Sequence, residues 1–272
     1  MVQDEIGSLS NEVELPTSVV FKRPSLSRAP ECELRLVESF EFRRRGELVA
    51  IPRNAQRPLA FLALHNRPLR RVFVAGSLWP DESDERAGAR LRGALCKLRR
   101  VGVDVILGIG DQLRIHPALV VDVHEITASL GLLADSTRIP ADCASWLSAL
   151  SGELLSDWYD EWLLVERERF RQLRLHALDE LCEGLARTGR FALAVQAGLA
   201  AVAADPLRES GQRALIHAHL QEGNPSEALH QYRCYERAAE EMGLSPTQHL
   251  EELVQPLLSS EPRRPLSRGA ST

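Results

Sequence analysis

A chain of 272 residues, 44% hydrophobic and 26% charged, fits one or two ordinary globular domains. No apolar run approaches the ~20 residues a helix needs to cross a membrane, which points to a cytoplasmic protein without a membrane partner. The net charge of −5 is unevenly divided: residues 31–121 hold 16 Lys/Arg against 11 Asp/Glu, and residues 122–258 hold 11 against 22. Two domains with different partners are therefore expected, and only the first is open to a polyanion.

Residues 1–30 carry early acids, several prolines and no apolar signal core. They read as a flexible leader rather than a secretion signal. From residue 31, Leu34, Leu36, Phe40 and Phe42 alternate to one side of a strand pair. Arg45-Gly46 is a turn signal, and LVAI after it reads as another short strand. AQRPLAFLALHNRP reads as a helix with Pro58 in its first turn, Leu59 and Leu62 on one face, and Asn66 with Pro68 at its end. LRRVFVAGSLWPDE is a weaker helix that Pro80 stops, with Leu78-Trp79 as a core anchor.

The next stretch, ERAGARLRGALCKLRR, has six basic residues in sixteen, yet its leucines keep helical spacing. At about 100° per residue, Leu91, Leu95 and Leu98 make a narrow apolar seam flanked by Ala87 and Ala94. Arg86, Arg90, Arg92, Lys97 and Arg100, with Arg99 at the border, occupy the other half around the small residues Ala89, Gly93 and Cys96. Such a face fits closely against a polyanion, and the major groove of double-stranded DNA admits an α-helix. A solvated charged face is the plainer alternative. If the helix lies in the groove, Arg86, Arg90 and Arg92 reach base edges, and Lys97, Arg99 and Arg100 meet phosphate. Ser83 is a candidate N-cap, with acids in the first turn. VDVILGIGDQLRIHPALVVDV then reads as a hairpin around Gly108, Gly110 and Asp111, whose one cation, Arg114, makes a weak phosphate contact.

Sheet, helix, helix, basic helix, hairpin is the order of a winged helix, a helix-turn-helix with a β-hairpin beside it. Residues 34–123, with LALHNRPLRR, AGSLWPDE and RLRGALCKLRR, resemble the OmpR-type winged helix of the Streptomyces antibiotic regulatory proteins, the SARP family.

The acidic half opens with GELLSDWYDEWLLVERERFRQLRLHAL, which resembles the bacterial transcriptional activation domain that follows the winged helix in SARP regulators. Phe170, Leu173, Ala177, Leu181 and Leu185 recur at helical spacing. Gly189 and Gly223 are 34 residues apart, as are Ala194 and Ala228, and Pro206 and Pro246 follow the two units. That is the tetratricopeptide period, with a longer second helix in the second unit. The expected fold is mainly α with small β-sheets, an N-terminal winged helix-turn-helix followed by an all-α tetratricopeptide-like domain. Its expected boundaries are leader 1–30, winged helix 31–122, activation domain 123–258 and disordered tail 259–272.

The resemblance implies a pathway-specific activator that binds direct repeats in promoter DNA, self-associates there, and contacts RNA polymerase and its sigma factor. It places Asp81, Glu82 and Asp84 in a loop facing the polymerase. With no ATPase or sensor module after the second domain, a short stand-alone member is expected. The alternative is a tetratricopeptide-type adaptor that holds a protein and leaves DNA alone. A small-molecule sensor rests only on the concave surface that repeat helices form.

No phosphate-binding loop, dinucleotide fingerprint, nucleophile elbow or HExxH occurs, so neither an enzyme nor a cofactor is expected. Cys32, Cys96, Cys143, Cys182 and Cys234 are dispersed without a CxxC pair, which reads as free thiols in a reducing compartment and no metal site. His217 and His219 point apart on one helix. Asp157, Asp160 and Glu161 beside Trp158 and Trp162 read as the solvated start of a helix.

Overall fold

The computed structural model describes residues 31–133 and 143–260. The leader 1–30 and the tail beyond 260 lie outside the described residues. Strands β1 (Cys32–Arg35), β2 (Glu41–Arg44) and β3 (Glu47–Leu48) form an antiparallel meander. Leu34 pairs with Phe42 across it, and both are buried. Arg45 and Gly46 turn the chain with φ of 52° and 85°, the sign a two-residue type I′ hairpin needs at both positions. The strand expected over LVAI ends at Leu48, because Ile51 drops into the core ahead of Pro52 and the first helix. Phe40 lies outside β2 and is half-buried.

Helix α1 (Arg53–His65) begins five residues before Pro58, so this proline sits in the second turn rather than the first. The carbonyl of Pro52 starts the helix by accepting from Ala55 (2.7 Å) and Gln56 (3.1 Å). Asn66 ends it in the left-handed conformation, φ 44°, as expected. Next come β4 (Leu69–Arg70), α2 (Arg71–Leu78), α3 (Asp84–Arg100), and the hairpin β5 (Ile106–Ile109) and β6 (Gln112–Ile115). The hairpin joins β4 in a sheet ordered β4-β6-β5. β7 (Leu119–Val121), unforeseen as a sheet partner, returns to lie parallel to β1 and completes the order β3-β2-β1-β7.

Helices α4 (Asp122–Leu133), α5 (Cys143–Ser151), α6 (Glu161–Arg187), α7 (Phe191–Ala204), α8 (Glu209–Glu222), α9 (Pro225–Glu241) and α10 (Gln248–Ser260) make the second half. The chain is thus mainly helical with small sheets near its start. Gly189 and Gly223 adopt φ of 74° and 87° just after α6 and α8, a conformation that favours glycine. Ala194 and Ala228 are fully buried where the paired helices touch. The 34-residue period is therefore two helical hairpins, but the extra length of the second unit lies in its first helix, since α9 has 17 residues against 14 in α7, whereas α10 has 13 against 14 in α8. Phe170, Ala177, Leu181 and Leu185 are buried on α6, while Leu173 is half-buried. α10 runs two residues past the expected limit at 258 and packs Leu250 and Val254 on Ile216, Tyr232 and Tyr235.

One apolar cluster continues from Leu34 through both halves to Ala218. Asp122 starts the second half, and its carboxylate accepts backbone N–H groups of Leu36 (2.9 Å), Val37 (2.9 Å) and Val123 (2.8 Å). Burial pushes its pKa up, and these three donors pull against that. Leu154 bridges to Val37, and the N–H of Leu155 donates to the carbonyl of Leu36 at 2.8 Å. A Cβ on Gly152 would lie 2.5 Å from Val37 Cγ1, so only glycine allows this approach. Arg167 ties the segment down by donating to the carbonyls of Leu154 (2.9 Å), Leu155 and Trp158 (2.7 Å). Trp158, fully buried, stacks on Phe40 at 6.0 Å, and Trp162 meets the edge of Phe61 at 5.1 Å.

The acids at the start of α6 are not simply solvated. Asp160 pairs with Arg57 at 2.5 Å with its side chain 15% exposed, and Asp157 pairs with Arg53 at 3.4 Å. Glu161 alone of the three stays exposed without such a partner among the described residues.

Candidate nucleic-acid interface

α3 buries Ala87, Leu91, Ala94 and Leu98, with Leu95 half-buried beside them. Arg86, Ala89, Arg90, Arg92, Gly93, Cys96, Lys97, Arg99 and Arg100 are exposed. Ser83 holds the N-cap position with extended backbone, although its hydroxyl makes no capping bond. Asp84 and Glu85 in the first turn and Lys97, Arg99 and Arg100 in the last both complement the helix dipole. Nothing lies within 4 Å of where a Cβ on Gly93 would be, so the strip between the cations is open.

The cations divide into two flanks. At about 100° per residue, Arg86, Arg90 and Lys97 share one side of the strip, Arg92 and Arg99 share the other, and Gly93 and Arg100 lie between. The first flank adjoins the loop 80–84. There Arg90 pairs with Glu82 at 2.5 Å, and the Glu82 side chain is only 23% exposed. Asp81 and Asp84 remain exposed. Leu78 and Trp79 anchor the loop's base in the core, and Arg57 lies over the Trp79 ring at 5.6 Å while donating to the Leu78 carbonyl at 2.6 Å.

The second flank faces the hairpin. Arg92 and Arg99, with Arg71, rim a cleft of about 250 Å³ between α3 and β5–β6. Arg71 was not singled out from the sequence, and the signal for it was the Arg70-Arg71 pair at a helix start. Its N–H donates to the carbonyl of Asp111 at 2.8 Å, and Arg70 pairs with the Asp111 carboxylate at 3.8 Å, so α2 and the hairpin turn are joined. Gly110 makes that turn with φ 59°. Arg114 is half-buried and alternates with Leu113, so it leaves the opposite face of the hairpin. It lines a separate cleft with Asn66, Arg67 and His116, and the structure does not bring it to the surface of α3.

Cys143 and Cys182 are buried, and burial pushes the Cys182 thiol up to about 12. Among the described residues no cluster of His, Cys, Asp and Glu has the make-up of a metal site, and no helix is long and apolar enough to cross a membrane.

An arginine-studded helix beside a hairpin, joined to stacked helical hairpins, is the layout of a winged-helix regulator with an attached effector domain. Residues 134–258 match the family described as bacterial transcriptional activator domain. The chain is 29% identical over 232 residues to the regulatory protein AfsR of Streptomyces coelicolor, covering 80% of this chain. It spans 23% of the length of that curated relative. It shares the fold of Mycobacterium tuberculosis EmbR, solved in complex with a low affinity phosphopeptide, with a TM-score of 0.65 and 20% identity over 85% of this chain and 66% of that one. The resemblance to SARP regulators therefore holds in sequence and in fold.

Proposed function

We propose that the protein is a sequence-specific DNA-binding transcriptional activator that recognises direct repeats in promoter DNA and recruits RNA polymerase through its sigma factor, serving a secondary-metabolite gene cluster. The family matches support a role in transcription regulation. The observation that carries the finer reading is the exposed half of α3: Arg86, Arg92, Lys97, Arg99 and Arg100 make no ion pair or side-chain hydrogen bond within the described residues. A helix that offers this many unengaged cations around an open strip suits a groove lined by phosphates. Arg90 is the reader that must exchange Glu82 for a base edge.

The test is selection of bound sequences from a random duplex pool by the purified protein. Enriched direct repeats spaced by a helical turn support both the DNA reading and side-by-side protomers. Absence of retention even at low salt favours the adaptor instead. For the polymerase arm, Asp81→Ala with Asp84→Ala should leave promoter binding within about twofold, because exposed acids repel phosphate, and should lower transcription in a purified system. Unchanged transcription removes the loop from that role.

A further inference from the structure

The cleft between α3 and the hairpin is lined by three arginines from separate places. Arg71 is the first residue of α2, and Arg92 and Arg99 stand two turns apart on α3. One carboxylate, Asp104, shares the rim. None of the three guanidinium groups makes an ion pair or hydrogen bond within the described residues. Like charges around one cleft repel one another, and an anion among them reverses the sign. The Arg71 guanidinium lies against the hairpin. A Cβ on Gly108 would lie 2.8 Å from its terminal nitrogen, so the guanidinium rests against the bare face of that glycine and a side chain there would shift it. Gly108 has no positive φ, unlike Gly110, so the turn does not account for it. Cys96 belongs both to the cleft and to the exposed strip of α3, which makes the two surfaces continuous.

We propose that this cleft seats a single backbone phosphate of the duplex entered by α3, shared by Arg71, Arg92 and Arg99. The inference rests on the DNA-binding reading above, and it moves Arg92 from reading bases to holding the backbone. A shared phosphate has a thermodynamic signature. Each phosphate neutralised contributes about 0.9 to the slope of log K against log salt. Three separate contacts lose that slope one by one, whereas one shared contact loses it once.

The experiment measures binding of the full chain to its selected site and to random duplex across a salt series, for Arg71→Ala, Arg99→Ala and the double variant. All three should flatten the slope by about one unit, equally on both duplexes. Flattening by about two units in the double variant, or an unchanged slope for Arg71→Ala, overturns the shared seat while leaving DNA binding in place. A parent protein with no salt-dependent binding overturns both readings. Gly108→Ala keeps every charge and shifts only the flexible end of Arg71, so it should weaken both duplexes less than Arg71→Ala does, with an unchanged melting temperature. A loss larger in Gly108→Ala than in Arg71→Ala counts against the seat. Inorganic pyrophosphate supplies the remaining arm. Saturable binding that depends on Arg71, combined with a DNA slope indifferent to Arg71, assigns the cleft to a free phosphate ligand and overturns the DNA assignment.

Discussion

Arginine serves opposite ends at the junction of the two halves and on α3. At the junction Arg57 is held by Asp160 and the Leu78 carbonyl, Arg167 by three carbonyls, and the buried Arg174 by the Gly152 carbonyl at 2.6 Å. Burial pulls the Arg174 pKa down, the direction expected of a cation removed from water. On α3 the cations stand in solvent with almost no internal partner, and among the described residues the single pairing is Arg90 with Glu82. Composition alone does not separate these two uses. What separates them is whether acceptors converge on the guanidinium from the same chain.

The largest test of this contrast is Trp158→Ala, which removes the ring around which the junction closes. It should cost about 3–5 kcal/mol in denaturant unfolding, as large aromatic truncations in cores do. A cost below about 1 kcal/mol would mean that the two halves are stable separately. Gly93→Glu should come next, lowering affinity for the target duplex by about 100-fold through like-charge repulsion, with the melting temperature unchanged because the space around Gly93 is empty. Full binding by that variant means that this face does not read DNA and that α3 is only a solvated basic helix. Arg90→Ala should cost about 1–3 kcal/mol on the target site and relax preference at one or two base pairs, while Arg100→Ala should weaken target and random DNA alike. Equal losses for the two in a competition assay would erase the distinction between readers and holders. The smallest effect belongs to Asp157→Asn. Arg53 and Asp157 are 56% and 60% exposed, so breaking their pair should shift stability by less than about 0.5 kcal/mol in the same unfolding assay.

The two regions were also unequally legible. α3 could be read in one dimension because Ala87, Leu91, Ala94 and Leu98 recur at three and four, and a basic residue in almost every gap marks the opposite face. The helical hairpins were legible for a similar reason, since Gly189 and Gly223 repeat at a fixed period. The junction was not. Arg57 and Asp160 are far apart in the chain, and an acid at a helix start looks the same whether it faces water, a dipole or an arginine. β7 is a run of three residues that becomes a strand only because β1 offers it an edge. Arg71 is not legible in one dimension because its side chain rests on Gly108, a residue distant in the chain.

Gly152 carries a consequence for recombination between regulators of this architecture. It lets residues 153–156 lie against residues 36–38, so a recipient sheet and a donor effector half must match at that contact. A chimera crossed over at residue 123 would inherit the 152–158 segment from one parent and its seat on Val37 and Phe40 from the other. Exchanging Val37, Glu38 and Phe40 together with the effector half keeps that contact within one lineage, and such hybrids should be recovered folded more often than those cut at the apparent domain boundary alone.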